Sequence, residues 1–543
     1  MELGRIRTSA TAFVCSAAFL RGWIVASLLI SPLAAIGAST LHIGIDAAGL
    51  GTGDPHFAAA RNDRIVADMI FNGLLRYRPG QAPLIEPDLA EAIPEPKIVG
   101  GRQEWLFRIR RNVMCHPGPE TAPYELTADD VVYSLRKSAD PKRSAYAGEY
   151  TNMTVEKVDD FTVRVIEAQP ISSILFFPKV ADYAGGFIVC AKAVDAMGDE
   201  AFTSHPVGTG PFVFESYTPD DSVRLTRNLQ YFRGPPLLDG VVVEYLPEFD
   251  ARNQGLLRGE LDVIFGSEKS EWFDEMRGKR DFVVDVFGVG QVITVHLNSS
   301  KKPLDDIRVR KAIAYALDRD AFRSLFAEGV VANVYSPVPE QFLPGGLSQS
   351  DVEGLGLDYP RDTAKAKALL AEAGYPDGFS VDLISSERGH YIRNYESLRN
   401  QLEQIGVEVK LQSVKHREMH KAIRKNRNAI VIYVAWRPNA DVFLTRFFHS
   451  DSTVVTGARP DTNFSHYDQI DKLIEAARAS RDPRQQVRFW KQAQIKILGD
   501  AVAYPLHYVN LVYARRGTVD YGHPLEASMA LYPQVTEQTR ITE

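Results

Sequence analysis

Two strand, helix, strand alternations, far apart in the chain, predict an α/β protein with two lobes. A differently patterned stretch ahead of them predicts an inserted α+β domain. In the first alternation, residues 241–246 are a β-branched run, 251–259 a short helix candidate and 261–265 a second buried strand pattern. In the second, residues 380–384 are strand-like, and Leu398, Leu402 and Ile405 mark one helix face that stops at Gly406. Val407, Val409 and Leu411 then alternate with Glu408 and Lys410. Each alternation reads as a right-handed crossover between parallel strands, so each lobe holds a sheet that is at least partly parallel. A chain of 543 residues is too long for one ordinary domain, which suits this division.

At the N-terminus, Arg5, Arg7 and Arg21 precede an apolar stretch, 23–36, that ends among the small residues Ala35, Gly37, Ala38 and Ser39. That order is the pattern of a secretory signal peptide, with the cut expected near 37–39 and an uncleaved anchor as the alternative. The apolar stretch is shorter than the roughly 20 residues that span a bilayer. Cys15 follows Val14, not the small residue a lipid-anchor signal requires. Loss of residues 1–38 removes three Arg and one Glu and moves the formal charge from −7 to −9. An acidic, exported chain is a poor fit to nucleic-acid binding, whose signature is a basic surface.

Residues 41–45 read as a strand, followed by Gly49, Gly51 and Gly53. A dinucleotide loop would place its third glycine at position 54, where Asp54 stands with Pro55 behind it, so the expected reading is a loop at the base of a cleft. Residues 77–206 carry short alternating strands at 105–109 and 161–166 and a helix at 128–138 with Thr127 as its cap. Cys115 and Cys190 lie within this stretch, either paired or as two buried thiols. Further on, residues 304–322 read as one helix, with Asp305 and Asp306 as capping candidates, and 363–373 as another, closed by Gly374 and Pro376.

The apolar run 429–434 ends where polar groups accumulate: Trp436, Arg437, Asn439 and Asp441. In open α/β lobes ligands collect at the carboxyl ends of strands, and Arg388 with His390 stands at the corresponding end of the strand 380–384. Two guanidinium groups there suit a carboxylate or another anion. His416 and His420 share a helix face at the i, i+4 spacing of a metal pair. Lys415, Arg417, Lys421, Arg424 and Lys425 surround them, so a solvated basic face is expected, with no metal site and no cofactor. No HExxH, GxSxG or GxxxxGK[ST] pattern occurs, and no nucleophile, base and oxyanion set can be assembled from spacing.

A set of longer motifs stands along the chain in fixed order. The set opens with Asp88-Leu-Ala-Glu, Trp105-Leu-Phe-Arg-Ile-Arg-Arg-Asn-Val and Leu126-Thr-Ala-Asp-Asp-Val-Val-Tyr-Ser-Leu. It continues with His205-Pro-Val-Gly-Thr-Gly-Pro-Phe, Phe232-Arg-Gly-Pro-Pro-Leu-Leu-Asp and Gly259-Glu-Leu-Asp-Val-Ile. It ends with Asp305-Asp-Ile-Arg-Val-Arg-Lys-Ala-Ile-Ala-Tyr-Ala-Leu-Asp-Arg-Asp and Ala364-Lys-Ala-Lys-Ala-Leu-Leu-Ala-Glu-Ala-Gly-Tyr-Pro. As a set in this order they resemble the family 5 extracellular solute-binding proteins of ABC importers. Each motif has a structural reading as a cap, turn or strand entry, so the set identifies a fold and does not mark the ligand.

The resemblance implies a type II periplasmic-binding clamshell with an added domain, crossed twice by the chain near 293–298 and 503–507. It divides the chain into a signal peptide, 1–38; lobe I, 39–76 with 207–295 and 505–543; the inserted domain, 77–206; and lobe II, 296–504. It implies a periplasmic monomer that hands a small solute, a short peptide or amino-acid derivative, to a membrane permease driven by ATPases on other chains. Nickel complexes and oligosaccharides are the alternative ligands; a secreted enzyme and a ligand sensor are the alternative functions. Relative to dipeptide receptors, the segment between Trp436 and Phe443 is about three residues shorter, and the acidic residue expected to hold a free ammonium is missing.

Overall fold

In the computed structural model, residues 39–542 are described, and the expected signal peptide lies outside them. The first strand, β1 (Thr40–Ile45), leads through a glycine-containing loop to α1 (Arg61–Ile70). After the inserted domain come β2 (Phe212–Thr218), β3 (Ser222–Arg227) and β4 (Gly240–Tyr245), then α2 (Phe249–Arg258) and β5 (Val263–Phe265). β4 and β5 flank β1, and both run parallel to it, the crossover expected for the first alternation. β6 (Phe282–Leu297) leaves this region.

The second alternation is β7 (Phe379–Ser386), α3 (Gly389–Glu403) and β8 (Val407–Val414). β7 and β8 pair in parallel from Phe379 opposite Val407 to Ser386 opposite Val414. α4 (His416–Arg424), β9 (Ile430–Ala435) and α5 (Ala440–Phe448) follow, and β10 (Ala503–Arg516) returns. The sequence reading gave each lobe its own sheet. Instead, one nine-stranded sheet runs β2-β3-β4-β1-β5-β10-β6-β9, with Val331–Asn333 added on β10, and β7 and β8 form a separate pair.

The reason is the length of two strands. β6 is 16 residues long and β10 is 14, so each passes from one half of the molecule to the other without a break. The first part of β6 pairs only with β10, from Phe282 opposite Arg516 to Phe287 opposite Leu511. Its last part is also bonded to β9, from Val292 opposite Ala435 to Leu297 opposite Ile430. Between these parts the register with β10 shifts, at Phe287 to Gln291.

The helix expected over 304–322 is broken into Ile307–Ala316 and Arg319–Arg323. Asp306 caps the first, accepting from the Arg308 N–H at 2.8 Å, and Asp318 caps the second, accepting from the Asp320 N–H at 2.9 Å. An Asp that bonds its own downstream backbone starts a new helix instead of continuing the old one. The 363–373 expectation is met by Thr363–Glu372, with Gly374 at φ +91° behind it.

The inserted region holds an antiparallel sheet of Lys97–Val99, Arg102–Arg108, Thr162–Glu167 and Met153–Asp159 in that order. Trp105 is buried on its inner face, stacked on Phe176 with centroids 4.3 Å apart. Cys115 and Cys190 are bonded, which resolves the open pairing and closes a 75-residue separation. The His205 to Phe212 motif joins this region to α1. The Gly210 N–H donates to Ile70 O at 2.8 Å, and the His116 N–H to Gly208 O at 2.8 Å. A Cβ on Gly208 would stand 2.2 Å from Ile70 O, so only glycine permits that approach.

Candidate functional site

Two strand, loop, helix units face one another: β1 with α1, and β9 with α5. The loop after β1 is held from within α1. The Gly51 N–H donates to Asp63 Oδ1 at 2.7 Å, and Asn62 Nδ2 to Gly49 O at 2.9 Å. A carboxylate in the first turn suits the positive end of the helix dipole. Arg61 and Arg64 in the same turn oppose it, and each has found a partner surface instead. Arg61 pairs with Asp46 and lies 4.0 Å over the Phe265 ring.

Arg64 is buried, 8% exposed, and lies 5.4 Å over the ring of Tyr183 and 6.0 Å over that of Trp436. Trp436 leaves the end of β9 and meets Tyr183 edge-on, with centroids 5.8 Å apart. Burial pushes the Tyr183 hydroxyl up to about 12, and the neighbouring Arg64 charge pulls the other way. Three segments distant in sequence thus converge: the first turn of α1, the inserted region and the end of β9. Two donors at this point, Arg64 Nε and Trp436 Nε1, are buried without a hydrogen-bond partner. Buried donors are almost always paired, which makes these two the candidate contacts for an acceptor.

The other expected site residues fall as follows. Arg437 donates from Nη1 to Trp436 O at 2.7 Å and lies 4.9 Å over Phe447; burial lowers its pKa, and its Nε is unpartnered. Asn439 caps α5, its Oδ1 accepting from the Val442 N–H at 3.0 Å. Asp441 pairs with Arg478 at 3.1 Å; burial raises its pKa, Arg478 opposes the rise, and Oδ1 is left without a partner.

Arg388 is exposed at the N-cap of α3, with no side-chain capping bond. His390 is half-buried against Tyr391, 5.0 Å between centroids, and its pKa is lowered to about 4, first by burial and then by Arg388. Opposite this turn, burial raises the pKa of Glu268, in the loop after β5, and Arg393 of α3 lowers it in part.

The solvated face expected on α4 needs correction. Arg417, Lys421, Arg424 and Lys425 are exposed, but His416 and His420 are half-buried at the edge of that face. Met419 and Ile423 anchor α4 inward and carry the histidines with them, so that His420 meets Tyr433 at 5.7 Å and His416 meets Tyr391 at 5.4 Å.

Sequence reasoning missed Arg64 and Tyr183. Arg64 carried one local signal: a second arginine in the first turn of a helix, where the dipole disfavours cations, breaks a rule that functional sites break. Tyr183 carried none.

Next to these residues, one helical turn along α1 from Arg64, a partly open cavity of about 30 Å³ is lined by Asp68, Asn72, Arg76, Asp88, Asp182 and Glu537 among others. Burial pushes Asp68 up to about 7; Gln534 and Arg76 hold it down in part, while Asp88 adds to the rise. Asp182 is pushed well above the carboxylate range by burial and by Asp68 and Asp88.

Two halves joined by two long crossing strands, with unpaired polar donors where their loops meet, define a protein that captures a ligand by enclosing it. The chain belongs to the bacterial extracellular solute-binding proteins, family 5, whose sequence profile matches residues 85–454. Its fold is the type II periplasmic-binding clamshell, and it is the substrate-binding component of an ABC importer, a binding protein and not an enzyme.

The chain is similar to MoaA of A. tumefaciens R10, solved in complex with mannopinic acid. That likeness is 36% identity over 93% of this chain and 100% of that one, with a TM-score of 0.74. The dipeptide-binding protein of Escherichia coli K12 is 28% identical over 466 residues, 80% of this chain and 82% of that one. Heme-binding protein A of Haemophilus influenzae Rd is 26% identical over 471 residues, 81% and 82%. Among the described residues, no helix is long and apolar enough to cross a membrane.

Proposed function

We propose that this protein imports a small organic acid, an amino-acid derivative or a short peptide held by its carboxylate, through the cleft where Arg64, Tyr183 and Trp436 meet. The observation that carries the reading is the pair of buried, unpartnered donors, Arg64 Nε and Trp436 Nε1. A carboxylate accepts from both at once, and a guanidinium between aromatic faces keeps its fork free for such an anion. The complex of MoaA with mannopinic acid supports an acid as ligand. Arg437, bonded to Trp436 O, adds positive potential there, and the missing ammonium anchor of the 436–443 segment argues against recognition through a free amine. Asn439 and Asp441 serve in this reading as framework for α5, through the cap on Val442 and the pair with Arg478.

Delivery follows the family pattern. Residues 1–38 are removed on export to the periplasm, and the mature monomer closes lobe I (39–76, 207–295, 505–543) against lobe II (296–504) over the ligand. The bend falls where β6 and β10 cross between the lobes, at the register shift between Ile293 and Thr294, opposite His507 and Pro505. The inserted region, 77–206, contributes Tyr183. The closed form docks on a permease whose ATPases are separate chains.

The test is calorimetry and thermal shift with mannopinic acid, free and C-amidated dipeptides, a nickel–histidine complex and heme. One acid class should bind, C-amidation should abolish dipeptide binding, and Arg64→Ala should weaken the winning ligand by about 1.5–3 kcal/mol. Tight binding of C-amidated peptides, or a ligand indifferent to Arg64→Ala, would sink the proposal.

A further inference from the structure

We propose that His416 and His420 form a two-imidazole site for a divalent transition-metal ion at the start of α4. Helix geometry stacks residues four apart on one face, and here the two Nε2 atoms stand 3.1 Å apart. Two nitrogens at that separation, each about 2.0–2.1 Å from one ion, subtend roughly 95–102° there, between the square and the tetrahedral angles.

The pair is also oriented from behind. His416 Nδ1 lies 3.0 Å from Ser386 Oγ, and that oxygen accepts the Arg388 backbone N–H at 3.1 Å. Ser386 is fully buried at the end of β7. With Nδ1–H donated to this oxygen, the Nε2 lone pair of His416 points at His420, which is the outer contact that fixes the tautomer of a metal-bound imidazole. Without an ion, the Nε2–H of His420 donates across the gap. When an ion enters, that proton moves to Nδ1 of His420, so both rings bind as neutral ligands.

Among the described residues, no set of three or more His, Cys, Asp and Glu side chains could hold an ion. The remaining positions would be filled by water or by a donor from another molecule. Arg388, Arg424 and Lys421 add positive charge nearby and keep the affinity modest. Imidazole pairs favour Cu²⁺, then Ni²⁺ and Zn²⁺, over the oxygen-seeking Mg²⁺ and Ca²⁺.

The untagged mature chain should be titrated with Cu²⁺, Ni²⁺ and Zn²⁺ against a chromogenic chelator, with paramagnetic resonance of the Cu²⁺ form. One ion per chain is expected, tightest for Cu²⁺, with two nitrogens in its coordination sphere. His416→Gln and His420→Gln should each weaken it about tenfold or more, and Ser386→Ala about tenfold through lost orientation. His390→Gln should leave the affinity unchanged. Parent-like affinity in both His416→Gln and His420→Gln, or a Cu²⁺ spectrum with fewer than two nitrogens, overturns the proposal. The spectrum is read on the unsubstituted protein and decides the matter even where a variant misfolds.

Discussion

Lys137 and Arg64 are both buried cations, and their surroundings differ in one respect. Lys137 is fully buried, and its Nζ donates to Asp54 Oδ2 at 2.6 Å and to Arg143 O at 3.2 Å, with His56 Nδ1 3.3 Å away. Asp54 in turn accepts the His56 N–H at 3.0 Å, and His56 Nε2 contacts Phe187 O at 2.9 Å. Every charge in that seam is answered from within the chain. Arg64 is met by two aromatic rings and keeps an unanswered Nε, beside the unanswered Nε1 of Trp436. A completed polar network holds a structure in one arrangement, whereas an incomplete one costs free energy until a ligand completes it.

The largest effect should come from breaking the completed network. Lys137→Met leaves the Asp54 carboxylate buried and unpaired, and should destabilise the protein by about 3–5 kcal/mol in denaturant titration. Ligand affinity of the surviving folded fraction should not change. A loss of affinity at constant stability would mean that the seam reaches the cleft and that the contrast is false. The Cys115–Cys190 bond ties the inserted region in another way, through the unfolded chain. Replacing both by Ala frees a 75-residue loop and should cost about 2–4 kcal/mol by the same titration, again without touching affinity.

The incomplete site should respond in the opposite sense. Arg64→Ala removes a desolvated cation, so unliganded stability should hold or rise, while ligand affinity falls by about 1.5–3 kcal/mol. Equal losses of stability and affinity would class Arg64 with Lys137.

The carboxyl cavity is intermediate: its acids are desolvated, yet crowded with like charge. An acid whose pKa is raised by folding binds its proton more tightly in the folded state. It therefore contributes stability that is complete below its unfolded value and is lost as pH rises through the folded one. For Asp68, raised to about 7, the window runs from about pH 4 to pH 7. His56 and His116, both lowered to about 4 by burial, act oppositely and add stability as pH rises through 4 to 6.5. Asp68→Asn removes one side of this opposition, so stability should rise more steeply over that window, by roughly 1–2 kcal/mol between pH 5 and 7. An unchanged slope would show that Asp68 is ionised throughout.

What could be read from the sequence follows from the range of the interactions. β9 and the β7, α3, β8 crossover were legible, because periodic burial acts over a few residues and leaves a local pattern. Trp436 was legible as a residue at a strand end. The break at Asp318 was missed because its apolar flanks continue the helical period, and only the side-chain bond to the Asp320 N–H decides against it. The convergence of Arg64, Tyr183 and Trp436 was beyond reach, since contacts among three distant segments leave no spacing to find. The single nine-stranded sheet was missed for a related reason: the pairing that carries β6 along β10 from one half to the other joins segments about 220 residues apart and leaves no local pattern.

Asn439 offers the smallest and most discriminating test, because it stands three residues from Trp436 yet belongs with the completed networks. Its Oδ1 accepts the Val442 N–H and leaves one fewer orphan donor at the start of α5. If that is its whole role, Asn439→Ala should cost about 1 kcal/mol of stability, and Asn439→Asp, which keeps an acceptor and suits the helix dipole, should restore most of it. Ligand affinity should follow neither change beyond about twofold, since Trp436 is held from the other side by β9. A large affinity loss in Asn439→Ala that Asn439→Asp cannot restore would give the amide a direct contact with the ligand. The boundary between framework and site would then have to be drawn one helical turn further into α5.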